Sequence, residues 1–159
     1  MAVAEKAGTS GTGTDRIEKR FEVKAPLAKV WRAISDAKEF QAWFRLNLDG
    51  SFVEGQTVRG NVAIPKYEHF KVELQVVKIE PQRYFAYRWH PYPADPKVDY
   101  SKEPTTLVEF TLEETVAGVA VTIVESGFDR IPVSRRAEAF RMNEGGWKGQ
   151  AENLRKYVE

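Results

Sequence analysis

The stretch from residue 134 to residue 158 constrains the fold of this chain more than any other. Residues at alternating steps of three and four lie on one stripe of an α-helix. Here that stripe contains Ala137, Phe140, Glu144, Trp147, Ala151, Leu154 and Val158. The stretch is too lightly apolar to cross a bilayer, so the stripe must pack on another part of the chain. The sequence therefore predicts a long helix laid against the segments that precede it.

Two features interrupt this stripe. Glu144 places a carboxylate among apolar residues, and Gly145 and Gly146 stand just before Trp147. A glycine inside a helix costs about 1 kcal/mol relative to alanine. Chains accept this cost where a backbone must come close to another group. We therefore expect a helix that is gripped by the preceding segments, with some space left between them.

The segments before this helix have the alternation typical of β-strands. A first strand is predicted over residues 16–24. Two short helices follow, one with Pro26 in its first turn and one opened by a capping box that begins at Asp36. Further strands are predicted within 58–64, 70–79, 85–89, 105–115 and 119–126. Within 70–79 the alternation slips by one residue, which indicates a β-bulge. This order predicts an α+β domain with a curved antiparallel sheet of about six to seven strands.

Composition excludes several classes of function. A net charge of +1 over 159 residues, without clustered Lys and Arg, argues against nucleic-acid binding. The absence of cysteine excludes disulfides and thiol catalysis, and it is consistent with a reducing compartment. His69 and His90 are the only histidines and belong to no ligand-spaced cluster, so neither a metal nor a cofactor is expected. No catalytic residue is assigned, and a non-enzymatic role is favoured over an enzymatic one, which is kept as an alternative below.

The first 15 residues are small and polar and lack the apolar core of a signal peptide. They are predicted to form a disordered tail, followed by one domain over residues 16–159. The longest apolar run, 117–124, is far too short to span a membrane. We therefore expect a cytoplasmic protein without membrane insertion.

Four short motifs resemble those of a known family: Tyr87-Arg88-Trp89, residues 105–110, residues 124–129 and Gly146-Trp147. The chain resembles the activator of heat shock protein 90 ATPase homologue (C-terminal domain-like) family. This is a branch of the START-like (SRPBCC) superfamily, and the resemblance extends from about residue 16 to the end. It implies the helix-grip (Bet v-like) fold, in which a curved sheet wraps around the C-terminal helix and leaves a hydrophobic cavity. It also suggests roles in ligand binding or stress response.

The candidate ligand-binding residues are the aromatic side chains and carboxylates expected between the sheet and the long helix: Trp43, Phe44, Phe70, Phe85, Tyr87, Trp89, Glu125, Phe128, Phe140, Glu144 and Trp147. The leading hypothesis is non-catalytic binding of a small hydrophobic or amphipathic molecule in this cavity. The competing interpretation is a filled core, because aromatic residues at these spacings usually just pack. Which face of each strand looks inward is left open.

Three further alternatives remain at this stage. Each carboxylate could instead form an ion pair, with Arg88, Arg130 or Arg141 as partner, or extend to solvent from the edge of the core, since charges are rarely buried unpaired. The family resemblance also implies a co-chaperone that stimulates the heat shock protein 90 ATPase. The third alternative is a polyketide cyclase or aromatase, in which Glu125, Tyr87 or His90 would transfer protons. The proline-rich loop, residues 90–104, is long enough to be functional, and its two tyrosines could cover a cavity mouth.

Overall fold

The computed structural model describes residues 14–159. Within this range seven strands form a single antiparallel sheet. The strands are β1 (Arg16–Val23), β2 (Leu46–Leu48), β3 (Thr57–Val62), β4 (Lys71–Glu80), β5 (Tyr84–Trp89), β6 (Thr106–Glu114) and β7 (Val119–Ser126). The α-helices are α1 (Leu27–Ser35), α2 (Ala37–Phe44) and α3 (Val133–Val158), and short 3-10 turns lie at Tyr100–Lys102 and Phe128–Arg130. The predicted α+β helix-grip architecture, with two short helices after the first strand, is confirmed.

The spatial order of the strands is β1-β7-β6-β5-β4-β3-β2. All neighbours after the β1-β7 pair are consecutive in sequence, and α1 and α2 connect β1 to the far edge. The register pairs Tyr87 with Val108 and Val108 with Glu125. These three residues therefore share one row across the sheet. All three are buried, which shows that this is the inward face.

The predicted β-bulge is confirmed in β4, where the register with β5 shifts between Val76 and Lys78. The capping interaction at Asp36 is also present, since its side chain accepts from the backbone N–H of Lys38. β2 was not predicted. It is only three residues long, too short to show an alternation, and it follows directly on the left-handed Arg45 that ends α2 (φ 71°).

The long helix α3 buries Ala139, Trp147, Leu154 and Val158. The prediction that Glu144 belongs to the buried stripe is wrong, because Glu144 is exposed. The polar residue of the inner side is its neighbour Asn143, which is partly buried and bonded to Glu125. A neutral amide can be placed there at low cost, whereas a second carboxylate would put two negative charges together.

A close approach of another group was expected at the glycines of α3, but the structure does not show one there. A Cβ added at Gly145 or Gly146 would meet no atom within 4 Å. The close approach is found instead at Gly60 in β3, where a Cβ would lie 1.7 Å from the Asn47 carbonyl oxygen of β2. Only glycine allows these two backbones to lie so close together.

Aromatic side chains fill the space between α2 and the middle of the sheet. The ring of Phe40 stacks on Phe44 at 4.8 Å and contacts the edges of Phe85 and Phe110, with centroid distances of 6.5 and 6.3 Å. Phe40, Phe85 and Phe110 have no exposed surface. The centre of the domain is therefore a packed core.

Most of the predicted N-terminal tail, residues 1–13, lies outside the described residues. Asp15, which was assigned to that tail, is held in place: its carbonyl oxygen accepts from the backbone N–H groups of Gly127 and Phe128. Its carboxylate also accepts from the backbone N–H of Asp129 at 3.0 Å. These bonds attach Asp15 to the segment that precedes α3 and supply acceptors for its backbone amides. Across residues 14–159, no helix is long and apolar enough to span a membrane.

Candidate ligand cavity

A cavity of about 490 Å³ lies beside the packed core. Its walls come from the end of α2, the start of β4, the end of β5, the proline-rich loop and α3. It forms where β4 and β5 stop pairing: their last paired residues at this end are Gln75 and Arg88, although β4 begins at Lys71. The proline-rich loop leaves β5 beyond this point and covers the gap.

The lining combines aromatic and ionisable side chains. The aromatic members are Phe44, Phe70, Trp89, Tyr92 and Tyr100. The ionisable members are His69, Lys71, Glu73, His90, Asp95 and Asp99. The cavity therefore offers apolar surface for the body of a ligand, together with polar groups that can orient it.

Arg135 of α3 fastens the proline-rich loop over the cavity. Its Nε donates to Glu103 Oε1 at 2.9 Å, and its Nη1 donates to the carbonyl oxygens of Pro91 and Tyr92 at 2.8 and 3.2 Å. The guanidinium also lies 4.7 Å from the centre of the Tyr100 ring. The Arg135 and Glu103 side chains are each only 16% exposed, so this ion pair is less screened than a surface pair.

Glu125 forms a polar centre beneath the same helix. Its Oε1 accepts from the Trp147 indole N–H at 2.7 Å, and its Oε2 accepts from the Trp89 indole N–H at 2.7 Å. The Thr106 hydroxyl donates to Oε2 at 2.6 Å. The Asn143 amide donates to Oε1 at 2.9 Å and to Oε2 at 3.2 Å. These bonds link strands β5, β6 and β7 to helix α3.

The expected ion pair of Glu125 with an arginine is wrong. Within residues 14–159, no cationic side chain forms a salt bridge with Glu125, and its donors are neutral. Four donors at hydrogen-bond distance can satisfy the lone pairs of a carboxylate without an arginine. Burial raises the pKa of Glu125, and the bonds from Thr106, Trp89, Trp147 and Asn143 oppose that rise.

Tyr87 lies next to this centre, on the same row of the sheet. It is fully buried, and its hydroxyl makes no hydrogen bond with any residue in the described part of the chain. Burial, and secondly the negative charge of Glu125, raise the pKa of Tyr87 well above its ordinary value. The phenol therefore stays protonated at neutral pH.

Only part of the predicted site borders the cavity. Of the eleven candidates, Phe44, Phe70 and Trp89 line it. Glu125 and Trp147 lie directly behind this wall, since Trp89 bonds Glu125 and its ring centroid lies 5.8 Å from that of Trp147. The other six are not among the lining residues: Trp43, Phe85, Tyr87, Phe128, Phe140 and Glu144. Glu144 is exposed on the outer side of α3, and the other five belong to or pack against the core.

Sequence reasoning missed Asn143 and most of the ionisable lining. Tyr92 and Tyr100, considered as possible covers of a cavity mouth, do line it. His69 and His90 also meet at this cavity although they lie at opposite ends of the strand region in sequence. The antiparallel pairing of β4 with β5 places the start of one strand near the end of the other. No local sequence motif indicates that the two histidines share a cavity.

The sequence profile described as Activator of Hsp90 ATPase homolog 1-like protein matches residues 24–159. The chain belongs to this family. A comparison with curated proteins gave no match. Among the described residues, no group of three or more His, Cys, Asp or Glu side chains is arranged to hold a metal ion.

Several solved structures share the fold of this family member. Protein MLL2253 from Mesorhizobium loti is 20% identical, with a TM-score of 0.71 over 90% of this chain and 96% of that one. The Aha1 protein of Colwellia psychrerythraea, solved as a dimer in solution, is 17% identical, with a TM-score of 0.68 over 91% and 96% of the two chains.

DynU16, a protein of the dynemicin biosynthetic locus, is 22% identical to this chain, with a TM-score of 0.68. The match covers 91% of this chain and 47% of DynU16, so the chain spans about half of that protein. At this level of identity these likenesses show the fold and leave the activity open.

Proposed function

We propose that this protein binds a small hydrophobic or amphipathic molecule, without catalysis, in the cavity beneath the proline-rich loop. The observation that carries this proposal is the cavity itself, about 490 Å³ with five aromatic residues in its lining. Cavities of roughly 300–1,000 Å³ with mostly apolar walls and a few polar groups are typical of small-molecule sites. The loop fastened by Arg135 provides a cover for such a site.

Two of the three candidate acid–base groups, Glu125 and Tyr87, lie away from the cavity, which favours binding over catalysis; the third, His90, lines it. Glu125 is fully buried, and it does not line the cavity. Its acceptor positions are already occupied by four donors. Tyr87 is separated from the cavity in the same way. A general acid or base must come within hydrogen-bond distance of the reacting proton, directly or through one water.

A pair of substitutions in β4 tests the proposal. Val72 lines the cavity, and Val77, the unpaired residue of the bulge, is exposed. Val72→Trp should fill part of the cavity and weaken binding of N-phenyl-1-naphthylamine, a neutral fluorescent probe. Val77→Trp adds the same side chain outside and should leave binding unchanged. Equal effects of the two variants, or no saturable binding to the wild type, would refute the proposal.

The family description favours one second candidate, stimulation of the Hsp90 ATPase. An ATPase assay with purified chaperone distinguishes the two functions. If the protein acts as a ligand-binding module, the chaperone turnover should not change at saturating protein. A stimulated rate that Val72→Trp leaves intact would assign the activity to a surface other than the cavity.

A further inference from the structure

The polar groups at the inner end of the cavity have fixed hydrogen-bonding roles. Asn143 lines the cavity while its Nδ2 donates to both oxygens of Glu125. An amide oxygen facing a carboxylate would be repelled, so the orientation of this amide is determined. Its Oδ1, on the other arm of the amide, makes no hydrogen bond with another residue of the 14–159 range. Asn143 therefore has an acceptor left for a ligand.

His90 is oriented in a similar way. Its Nε2 lies 3.1 Å from the carbonyl oxygen of Glu103, which can only accept. Nε2 must therefore carry a proton, and in the neutral ring Nδ1 is an acceptor. Trp89 adds no donor to the cavity, because its only N–H is committed to Glu125. The lining thus contains the Asn143 amide oxygen as one acceptor and, in the neutral ring, His90 Nδ1 as a second.

The charges around the cavity also disfavour an anion. Glu73 is paired with Arg59 at 2.9 Å. Of the remaining ionisable lining residues, Asp95 and Asp99 are acidic and Lys71 is basic, while His69 and His90 carry positive charge only when protonated. Behind the wall lies Glu125, which has no salt bridge to any described residue. A ligand anion would therefore meet more negative than positive charge.

We propose that the cavity selects a non-anionic ligand with an aromatic or alicyclic body and a hydrogen-bond donor, which it bonds to Asn143 Oδ1 or His90 Nδ1. Glu125 is a positioning residue in this arrangement, since it turns the Asn143 amide so that its oxygen is left for the ligand. This inference rests on the proposed function, because it names the class of molecule held in the same cavity.

Two matched probes test, on the wild-type protein, whether the cavity prefers a non-anionic ligand. N-phenyl-1-naphthylamine and 8-anilino-1-naphthalenesulfonate share one ring system and differ by a sulfonate. We expect the neutral probe to bind at least about tenfold tighter by calorimetry. The Trp89 indole N–H signal, followed by NMR, reports whether either probe occupies the cavity. Equal or tighter binding of the sulfonate in the cavity would overturn the inference and leave the proposed function standing.

The hydrogen-bond donor is tested with N-methyl-N-phenyl-1-naphthylamine, which lacks the N–H. Losing one hydrogen bond should weaken binding by about three- to tenfold. Asn143→Leu should reduce that difference. Asn153→Leu is the matched control, because Asn153 lies on the same helix, bonds Gln150 and does not line the cavity. Equal affinities of the two amines for the wild type would refute the donor role. If no probe moves the Trp89 signal, the proposed function fails, and this inference falls with it.

Discussion

Replacing Glu125 by glutamine tests whether its hydrogen bonds hold the long helix to the sheet. The change preserves the shape of the side chain but replaces one oxygen by an NH₂ group, which can only donate. In the wild type each oxygen accepts from one indole N–H, from Trp147 and Trp89, at 2.7 Å. Whichever position the NH₂ group takes, it faces one of these indoles, and an indole nitrogen cannot accept.

The expected loss of stability follows from one buried donor that is left without a partner, which costs about 1–3 kcal/mol. Thr106 and Asn143 can reverse their roles, but the two indoles cannot, so rearrangement does not recover this loss. The free energy of unfolding of E125Q should therefore be lower by about 1–3 kcal/mol at pH 4.5, measured by urea unfolding. Each kcal/mol should lower Tm by roughly 2–4 °C in a chain of this size.

Glu144→Gln is the control, because Glu144 is the same residue type, exposed on the same helix. Its free energy of unfolding should stay within about 0.5 kcal/mol of the wild type. An E125Q protein that is as stable as the E144Q protein would refute the argument, since it would mean that the indoles do not depend on this carboxylate.

The pH dependence of the stability difference between the wild type and E125Q is a second test of this argument. Burial raises the pKa of Glu125 above its ordinary value of 4.5. The folded state then binds this proton more tightly than the unfolded state, so the wild type loses stability as the pH rises from 4.5 to the folded pKa. Glutamine does not titrate. The difference in free energy of unfolding between the wild type and E125Q should therefore be largest near pH 4.5. Above that pH it should shrink by up to about 1.4 kcal/mol per pH unit. A constant difference across this window would contradict the raised pKa.

Four other substitutions give distinct outcomes. Gly145→Ala should raise the free energy of unfolding by about 0.5–1 kcal/mol, because a Cβ there meets no atom within 4 Å, whereas Gly60→Ala should lower it through a backbone clash; effects of equal sign in urea unfolding would contradict this. Arg135→Ala should speed amide hydrogen exchange in the proline-rich loop and leave the sheet amides unchanged; an unaltered loop would rule out its fastening role. Tyr87→Phe should leave stability unchanged or raise it by up to about 1 kcal/mol, since the hydroxyl bonds no described residue; a loss above about 1 kcal/mol in thermal unfolding would point to a buried partner such as water.

The strands and helices follow closely from local patterns. Residues 119–126 alternate between the two faces of the sheet, and the observed strand has the same bounds. The slip in the alternation of β4 corresponds to an observed register shift. These features are local, so the periodicity of neighbouring side chains contains the necessary information.

The helix phase and the partners of Glu125 depend on long-range contacts. Asn143 and Glu144 are adjacent and both polar, so helical spacing cannot rank them, and the structure turns Asn143 inward. The donors of Glu125 come from two other strands and the helix, up to 36 residues away along the chain. Expecting an arginine partner was reasonable for an isolated charge. The structure shows instead that two indoles, an amide and a hydroxyl satisfy the carboxylate.

The position of Glu125 also explains why the cavity does not collapse into the core. A hydrophobic interior closes any space that its side chains can fill. Here Trp89 forms the boundary: one neighbour of its ring is Phe44, at 6.0 Å, while its N–H is fixed to Glu125. Moving this indole into the cavity would leave both its N–H and the carboxylate without their bond, at a cost of about 1–3 kcal/mol for a buried group. The polar centre therefore keeps the aromatic wall in place and separates the packed side of the domain from the side that contains the cavity.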